Sequence, residues 1–138
     1  MSRKVLLRIA AFFTLFVFVG HTIGTFSAPP PDQADVVKVY ETMYQTAVMM
    51  PMGATQTVGK MMFGANFCLS IYVLVAGLLL IIQSMTKEKT TREGRQVLVV
   101  NSVGLFATGV TSFFVFFPLP AICLSLAGIL GLVASRKD

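Results

Sequence analysis

Residues 96–135 read QVLVVNSVGLFATGVTSFFVFFPLPAICLSLAGILGLVAS, and none of these 40 side chains is charged. As one α-helix the stretch would be about 60 Å long, which is twice the hydrocarbon core of a bilayer. Just past its middle, Pro118 and Pro120 each lack a backbone donor and disfavour helix at the preceding residue. The pattern therefore predicts two membrane spans, 97–117 and 119–135, joined by a very tight turn.

A second uncharged run covers residues 9–26. Because about 20 helical residues cross the hydrocarbon core, this run predicts a span at about 6–26. The alternative is a signal peptide cleaved after Ala28, since basic residues precede the run and small residues follow it. Phe26 stands where such a cleavage site needs a small side chain, and Pro29 would become the new N-terminus. Both observations favour an uncleaved span.

A third run lies between Lys60 and Lys87 and predicts a span at about 62–85. The composition agrees with lipid as the solvent: 55% of the residues are hydrophobic and 12% are charged, whereas soluble domains are about 25% charged. The net charge of +5 does not indicate nucleic-acid binding, because the basic residues lie at the ends of the apolar runs. We predict no nucleic-acid partner and expect the lipid bilayer to be the first partner.

The basic residues predict the orientation of the spans, because Lys and Arg resist translocation. Two of them, Lys38 and Lys60, lie in the segment 27–61. The other nine lie near the two ends of the chain or in the loop 86–96: Arg3, Lys4, Arg8, Lys87, Lys89, Arg92, Arg95, Arg136 and Lys137. Four spans place these nine together on the cytoplasmic side. The sequence thus predicts an all-α, up-down-up-down bundle of four transmembrane helices, a single domain in the cell (inner) membrane with both termini cytoplasmic.

The segment 27–61 is predicted to lie outside the cytoplasm and to contain an amphipathic helix. Asp32 has the side chain of an N-cap, and Asp35 adds favourable charge in the first turn. Apolar residues then recur every three or four positions and predict a helix that ends near Pro51. These residues are Val36, Val37, Tyr40, Met43, Tyr44, Ala47 and Val48. The helix is either a lid on the bundle or in the headgroup layer, or a docking surface for a partner, because both need one apolar face.

Three polar side chains form the candidate ligand site. His21, the only histidine, lies about five residues or 7 Å from the outer end of the first span. Asn66 enters the second span at a similar depth, so the imidazole and the amide are expected to share a hydrogen bond worth about 0.6–2 kcal/mol. With Tyr72 they would line a pocket in the outer leaflet. A structural histidine is the simpler interpretation, and a proton carrier or ligand group is the alternative.

Small and weakly polar residues recur on each span and predict helix packing. Lipid tails do not drive helices together, so such positions permit close backbone approach and interhelical hydrogen bonds. The predicted packing residues are Gly20, Gly24, Gly77, Asn101, Gly104, Thr108, Ser125 and Gly128. The pair Gly20-xxx-Gly24 also fits a dimer face.

Sulfur-containing side chains raise two further hypotheses. Cys68 and Cys123 both lie several residues below the outer boundary of a predicted span, and two buried thiols explain them more simply than a disulfide. Methionines cluster in the outer segment and at the outer membrane face: Met43, Met49, Met50, Met52, Met61 and Met62. Thioethers suit Cu(I), but methionine also fills irregular contacts and no repeated MxxM or MxM array occurs. We predict no metal site and no cofactor.

Several classes of function lack their residues in this sequence. No Asp or Glu lies in a predicted span, whereas a proton-coupled small multidrug exporter needs a membrane-embedded carboxylate. The sequence holds no CxxC motif, no Ser/His/Asp set around the single histidine and no glycine-rich phosphate loop. We therefore predict a non-enzymatic structural or interaction subunit, whose partner is another membrane protein or a second copy of the chain. The alternative is a binder or carrier of a small apolar ligand, a lipid or a soft metal near His21.

The element Gly20-His21-Thr22-Ile23-Gly24-Thr25-Phe26 is followed by three prolines and an outer segment of about 30 residues. In this it resembles a group of small uncharacterised bacterial four-span membrane proteins that carry a GHT-x-GT element at the end of helix one. The resemblance is clearest over about the first 50 residues, and the remainder shares only the layout of spans. More loosely, the chain looks like DoxX-type four-helix membrane proteins in architecture. The first resemblance implies a bacterial inner-membrane location and no established activity.

Overall fold

The fold, taken from a computed structural model, is described for residues 1–86, 91–115 and 118–137. Most of the chain is helical. The elements are α1 (Arg3–Phe26), α2 (Ala34–Gln45), β1 (Ala47–Met49), a 3-10 turn (Pro51–Gly53), β2 (Thr55–Thr57), α3 (Val58–Met85), α4 (Arg92–Val115) and α5 (Pro118–Ala134). The prediction of a mainly helical chain is confirmed, although the small β-hairpin makes it other than strictly all-α.

Three of the helices, α1, α3 and α4, are long and apolar enough to cross a membrane. The fourth apolar helix, α5, has 17 residues and is shorter. The chain therefore has the helices of a membrane protein. The tight turn predicted after 97–117 and part of the loop 86–96 lie outside the described residues.

The helices extend beyond the uncharged runs. Helix α1 begins at Arg3, α3 at Val58 and α4 at Arg92, each three to five residues before the predicted span. A helix satisfies its own backbone hydrogen bonds, so it need not end where the apolar sequence ends.

The chain divides into two compact units. The first, here called the helical unit, comprises Met1–Gly20 and Ile71–Asp138. The second, here called the hairpin unit, comprises His21–Ser70 and contains α2 and the β-hairpin. Each unit is described separately below.

In the helical unit, α4 and α5 pack antiparallel with their backbones in close approach. A Cβ on Gly109 would lie 2.5 Å from the backbone nitrogen of Ser125, and one on Gly128 would lie 2.6 Å from that of Phe106 and 2.7 Å from the carbonyl oxygen of Ser102. At either position a Cβ would overlap the backbone of the facing helix, so only glycine allows the two backbones to come this close. These two glycines therefore set the separation of α4 and α5.

Side chains of the helical unit also bond to main-chain carbonyls of neighbouring helices. Asn101 on α4 donates through Nδ2 to the carbonyl of Ala76 on α3 at 3.2 Å. Arg3 on α1 donates to both the main-chain and side-chain oxygens of Gln83 on α3, at 3.3 and 3.1 Å, and Gln83 donates to the carbonyl of Gly94 at 3.2 Å. Hydrogen bonds from Asn101 and from Gln83 thus join α3 to α4, and Gln83 also links α3 to Arg3 of α1.

The largest fully buried side chains of the helical unit are aliphatic: Leu7, Leu80, Leu98, Leu105, Leu124 and Val73. The large apolar residues on the opposite face of α5 recur at intervals of three and four: Leu119, Ile122, Leu126, Ile129 and Val133, all of them exposed. A helix that is apolar on both its buried and its exposed faces is typical of a membrane span.

In the hairpin unit, α2 begins later and ends earlier than predicted. Its N-cap is Gln33, which makes no side-chain capping bond, so the prediction that Asp32 caps the helix is wrong; Asp35 does lie in the first turn. Asp32 lies in a turn, in which Gln33 donates its backbone N–H to the carbonyl of Pro30 at 3.1 Å, so Gln33 and not Asp32 directly precedes the helix. None of the 12 residues of α2 is fully buried. Its apolar face is partly covered, because Val37, Met43 and Tyr44 are half-buried and the Tyr44 ring lies against Gly59 of α3.

The prediction that α2 continues to Pro51 is also wrong. The chain leaves the helix at Thr46, and residues 47–49 pair antiparallel with residues 55–57 in the register Ala47 with Thr57. The pairing is closed by Met50 donating its backbone N–H to the carbonyl of Ala54 at 2.7 Å, around a turn in which Gly53 has a φ of 80°. A left-handed residue in a tight turn is the role for which glycine is best suited.

We expect Gly128→Ala to lower the free energy of unfolding by about 1–3 kcal/mol, because the new methyl group would meet rigid backbone rather than a movable side chain. Gly64→Ala on α3 is the matched control, since a Cβ there meets nothing within 4 Å, and it should be neutral or stabilising by up to about 1 kcal/mol. Thermal unfolding in one detergent measures both. Equal effects of the two substitutions would contradict the close α4–α5 contact.

Candidate functional site

The single histidine is bonded to the main chain of a second helix. In the hairpin unit, Nε2 of His21 lies 3.1 Å from the carbonyl oxygen of Asn66. A carbonyl oxygen can only accept, so Nε2 carries the hydrogen in this contact. The sequence predicted a bond between imidazole and amide; the structure brings the two residues together, but the acceptor is the backbone of Asn66 and not its side chain.

This contact occupies the carbonyl that a nearby serine would normally use. Serine and threonine hydroxyls in helices commonly bond to the carbonyl three or four residues earlier, as Thr14 does to Ala10 at 2.8 Å. Ser70 is four residues after Asn66 and only 2% exposed, yet its hydroxyl has no hydrogen-bond partner among the described residues. The hydroxyl of Thr22, next to His21, is likewise buried without one.

An aromatic cluster in the hairpin unit lies one to two helical turns from the histidine. Phe26 makes edge contacts with Phe63 and Phe67 at centroid distances of 5.4 and 6.0 Å, and those two rings stack at 6.2 Å. Edge-to-face contacts of this kind add about 0.5–1.5 kcal/mol beyond area burial. The cluster and the His21 bond therefore join the end of α1 to the first half of α3.

The third predicted site residue, Tyr72, belongs to the helical unit. Its hydroxyl lies against the position that a Cβ on Gly104 would take and hydrogen-bonds with Thr108. The Thr108 hydroxyl itself bonds back to the carbonyl of Gly104 at 2.9 Å. Tyr72 thus makes its polar contacts with α4.

The predicted packing residues have different surroundings. In the helical unit, a Cβ on Gly77 would lie 2.8 Å from the side chain of Leu15, and the contacts of Asn101, Ser125 and Gly128 are those given above. Ser125 has no partner for its buried hydroxyl among the described residues. In contrast, a Cβ on Gly20 or Gly24 would meet no heavy atom within 4 Å.

The two cysteines are not joined in a disulfide. Both thiols are free; Cys123 is buried as expected, whereas Cys68 is exposed. No group of three or more His, Cys, Asp or Glu side chains that could hold a metal ion occurs among the described residues. Met49 is 78% exposed at the end of β1.

A groove in the helical unit was not predicted from the sequence. It lies between α1 and α3, has a volume of about 410 Å³, and is lined by Arg8, Ala11, Phe12, Leu15, Ile81, Ser84 and Met85. In the sequence, the lining residues recur at intervals of three and four on α1 and again on α3, so each set lies on one face of its helix. The pairing of those two stripes could not be read from the sequence.

The His21 contact can orient a helix and donate a hydrogen bond. No protein-family model matches the chain, and no curated protein or solved structure matches it either.

A double-mutant cycle tests the competition for the Asn66 carbonyl. His21→Ala should lower the free energy of unfolding by about 1 kcal/mol, as hydrogen bonds between membrane helices do. Ser70→Ala should be neutral or slightly stabilising, because it removes a buried hydroxyl that has no partner. In the His21→Ala background, Ser70→Ala should become more costly, because the Ser70 hydroxyl can then bond to the vacated carbonyl. Strictly additive effects in detergent unfolding would contradict this competition.

Proposed function

We propose that this chain is a four-span protein of the cell (inner) membrane, with both ends cytoplasmic, and that it acts as a non-enzymatic interaction subunit that associates with a second copy of itself. One observation carries the non-enzymatic part: the long polar side chains of the spans bond to main-chain carbonyls. His21, Asn101 and Gln83 each bond to a carbonyl of another helix. Such bonds hold a bundle together.

The proposed orientation is supported by the distribution of charge. Nine of the eleven Lys and Arg residues lie near the ends of the chain or between the end of α3 and the first turn of α4. The other two lie between α1 and the first turn of α3. Antiparallel packing of α4 with α5 supports a final hairpin. With four spans, α2 and the β-hairpin lie outside the cytoplasm.

The proposed self-association uses one face of α1. Phe12, Phe16 and Val19 are all at least half exposed and form a ridge along this helix within the helical unit. Gly20 and Gly24 lie one turn apart beside that ridge, with open space where their side chains would be. A glycine facing lipid buries no apolar surface, whereas a glycine facing another helix permits close backbone approach. A second copy presents the same ridge and the same open space at its glycines, as a two-fold symmetric interface requires.

Reporter tags inserted at residues 45 and 90 test the proposed topology. We expect the tag at 45 to report the outer compartment and the tag at 90 the cytoplasm, because an odd number of spans separates them. Alkaline phosphatase and fluorescent-protein fusions report these compartments with opposite signals. Both tags on one side would contradict the four-span topology.

Gly20→Leu combined with Gly24→Leu tests self-association. The leucine side chains would fill the open space beside Gly20 and Gly24. We therefore expect the dissociation constant of the dimer to rise about tenfold, which corresponds to a loss of about 1–2 kcal/mol of association free energy. Gly64→Leu is the control, because that glycine also faces open space but lies on α3. Energy transfer between labelled copies in detergent measures the equilibrium. An unaltered chain that is monomeric, or equal weakening by the control, would contradict the α1 interface.

The alternative function is binding of a small apolar ligand, a lipid or a soft metal near His21. The buried hydroxyls of Thr22 and Ser70, which have no partner among the described residues, favour this alternative. Thr22 is next to His21 in sequence, and Ser70 is one helical turn after Asn66, whose carbonyl His21 contacts. The two functions predict different responses of His21→Ala to lipid extract or Cu(I). Loss of a ligand-induced rise in thermal stability would favour the binder, whereas a uniform loss of stability would favour the structural histidine.

A further inference from the structure

The groove between α1 and α3 of the helical unit has an apolar wall and one basic residue. Phe12 and Leu15 on α1 and Ile81 on α3 supply apolar surface, and Arg8 lies at the same groove. Its volume of about 410 Å³ falls within the range of about 300–1,000 Å³ typical of small-molecule sites. The groove is open along one side, so it suits a ligand that enters from the surrounding solvent or lipid.

Arg8 is available to a ligand. Its side chain is exposed and makes no hydrogen bond or ion pair with the described part of the chain. The neighbouring Arg3 differs, because Gln83 accepts two hydrogen bonds from it. A guanidinium that is free to move presents paired donors that match the oxygens of a phosphate.

The position of Arg8 in the sequence sets its depth in the membrane, provided that the proposed transmembrane arrangement holds. Residues 9–26 are uncharged and as a helix measure about 27 Å, close to the thickness of the hydrocarbon core. Arg8 therefore lies at the boundary where lipid phosphates are found. Phe12 and Leu15, one and two turns further, lie at the depth of the acyl chains.

We propose that this groove binds one anionic glycerophospholipid, with its phosphate at Arg8 and an acyl chain along Phe12, Leu15 and Ile81. Charge complementarity selects an anionic lipid: among the described residues, the same end of the helical unit carries exposed Lys4, Arg92, Arg95 and Arg136 against one acid, Glu93. A zwitterionic lipid would bring a cationic headgroup into this positive field. The apolar wall makes the ligand a lipid and not a free phosphate ion.

Native mass spectrometry of the detergent-purified full chain tests the assignment. The probe is an equimolar mixture of dioleoyl phosphatidylglycerol and dioleoyl phosphatidylcholine. We expect the unaltered chain to retain phosphatidylglycerol preferentially, and Arg8→Gln to reduce that preference about tenfold. Arg95→Gln is the matched control, because it removes the same charge from an exposed residue that does not line the groove. Arg8→Lys should keep much of the preference.

Two further measurements separate the groove from general attraction. Phe12→Ala removes a 65% exposed ring, so it should weaken retention of both lipids while the headgroup preference remains. Excess inorganic phosphate should not displace the lipid. Equal retention of the two lipids by the unaltered chain, or equal loss of preference in Arg8→Gln and Arg95→Gln, would overturn the assignment. A carbonate wash of membranes distinguishes the failures: release of the chain contradicts the proposed membrane function, whereas an embedded chain without headgroup preference contradicts only the groove.

Discussion

Backbone polar groups in a membrane must be paired within the protein, since the hydrocarbon core offers no water to pair with them. The long helices satisfy this requirement internally, but the same condition leaves little force to hold one helix against another. In this chain the helices are held by close backbone approach at glycines and by side chains that reach carbonyls of neighbouring helices. The remaining features of the structure depend on these two kinds of contact.

The glycine contacts and the hydrogen bonds differ in how much structural change they allow. At Gly128 the nearest atoms on α4 are two backbone atoms and the Cβ of Phe106, none of which can rotate away. The separation of α4 and α5 therefore cannot adjust without moving a whole helix. At Asn66 the carbonyl has a second lone pair, and either His21 or Ser70 is suited by position to use it. Glycine contacts therefore fix distances, whereas the hydroxyl and imidazole contacts can exchange partners at small cost.

The open glycines of α1 and the groove at Arg8 concern different faces of one helix. The groove faces α3 and is bounded by its side chains, while Gly20 and Gly24 face open space. Phe12 belongs to both the groove and the self-association ridge, so the two proposed interactions share this one ring of α1. A lipid held at Arg8 would fill part of the surface between α1 and α3 that their own side chains leave open.

The apolar runs, their lengths and the basic residues between them were sufficient to predict a mainly helical membrane chain, because the free energy of moving side chains into lipid depends on local sequence. The sequence also predicted a hydrogen bond between His21 and the Asn66 amide; the two residues do meet, but through the Asn66 main-chain carbonyl. The sequence was not sufficient for residues 46–57, because Ala47 and Val48 continue an apolar periodicity that also suits a helix. Only the pairing with residues 55–57, across the turn at Gly53, makes this segment a strand.

The tertiary structure alone decided which glycines are contacted, which carbonyl His21 uses and which stripes line a groove. Gly24 and Gly128 are alike in sequence, yet one faces open space and the other faces backbone. Periodicity identifies the residues that share a face of a helix, but the rotation of that helix toward its neighbours results from all its contacts together. The sequence by itself determined the long apolar helices and their suitability for lipid. Packing determined which neighbour each helix face contacts.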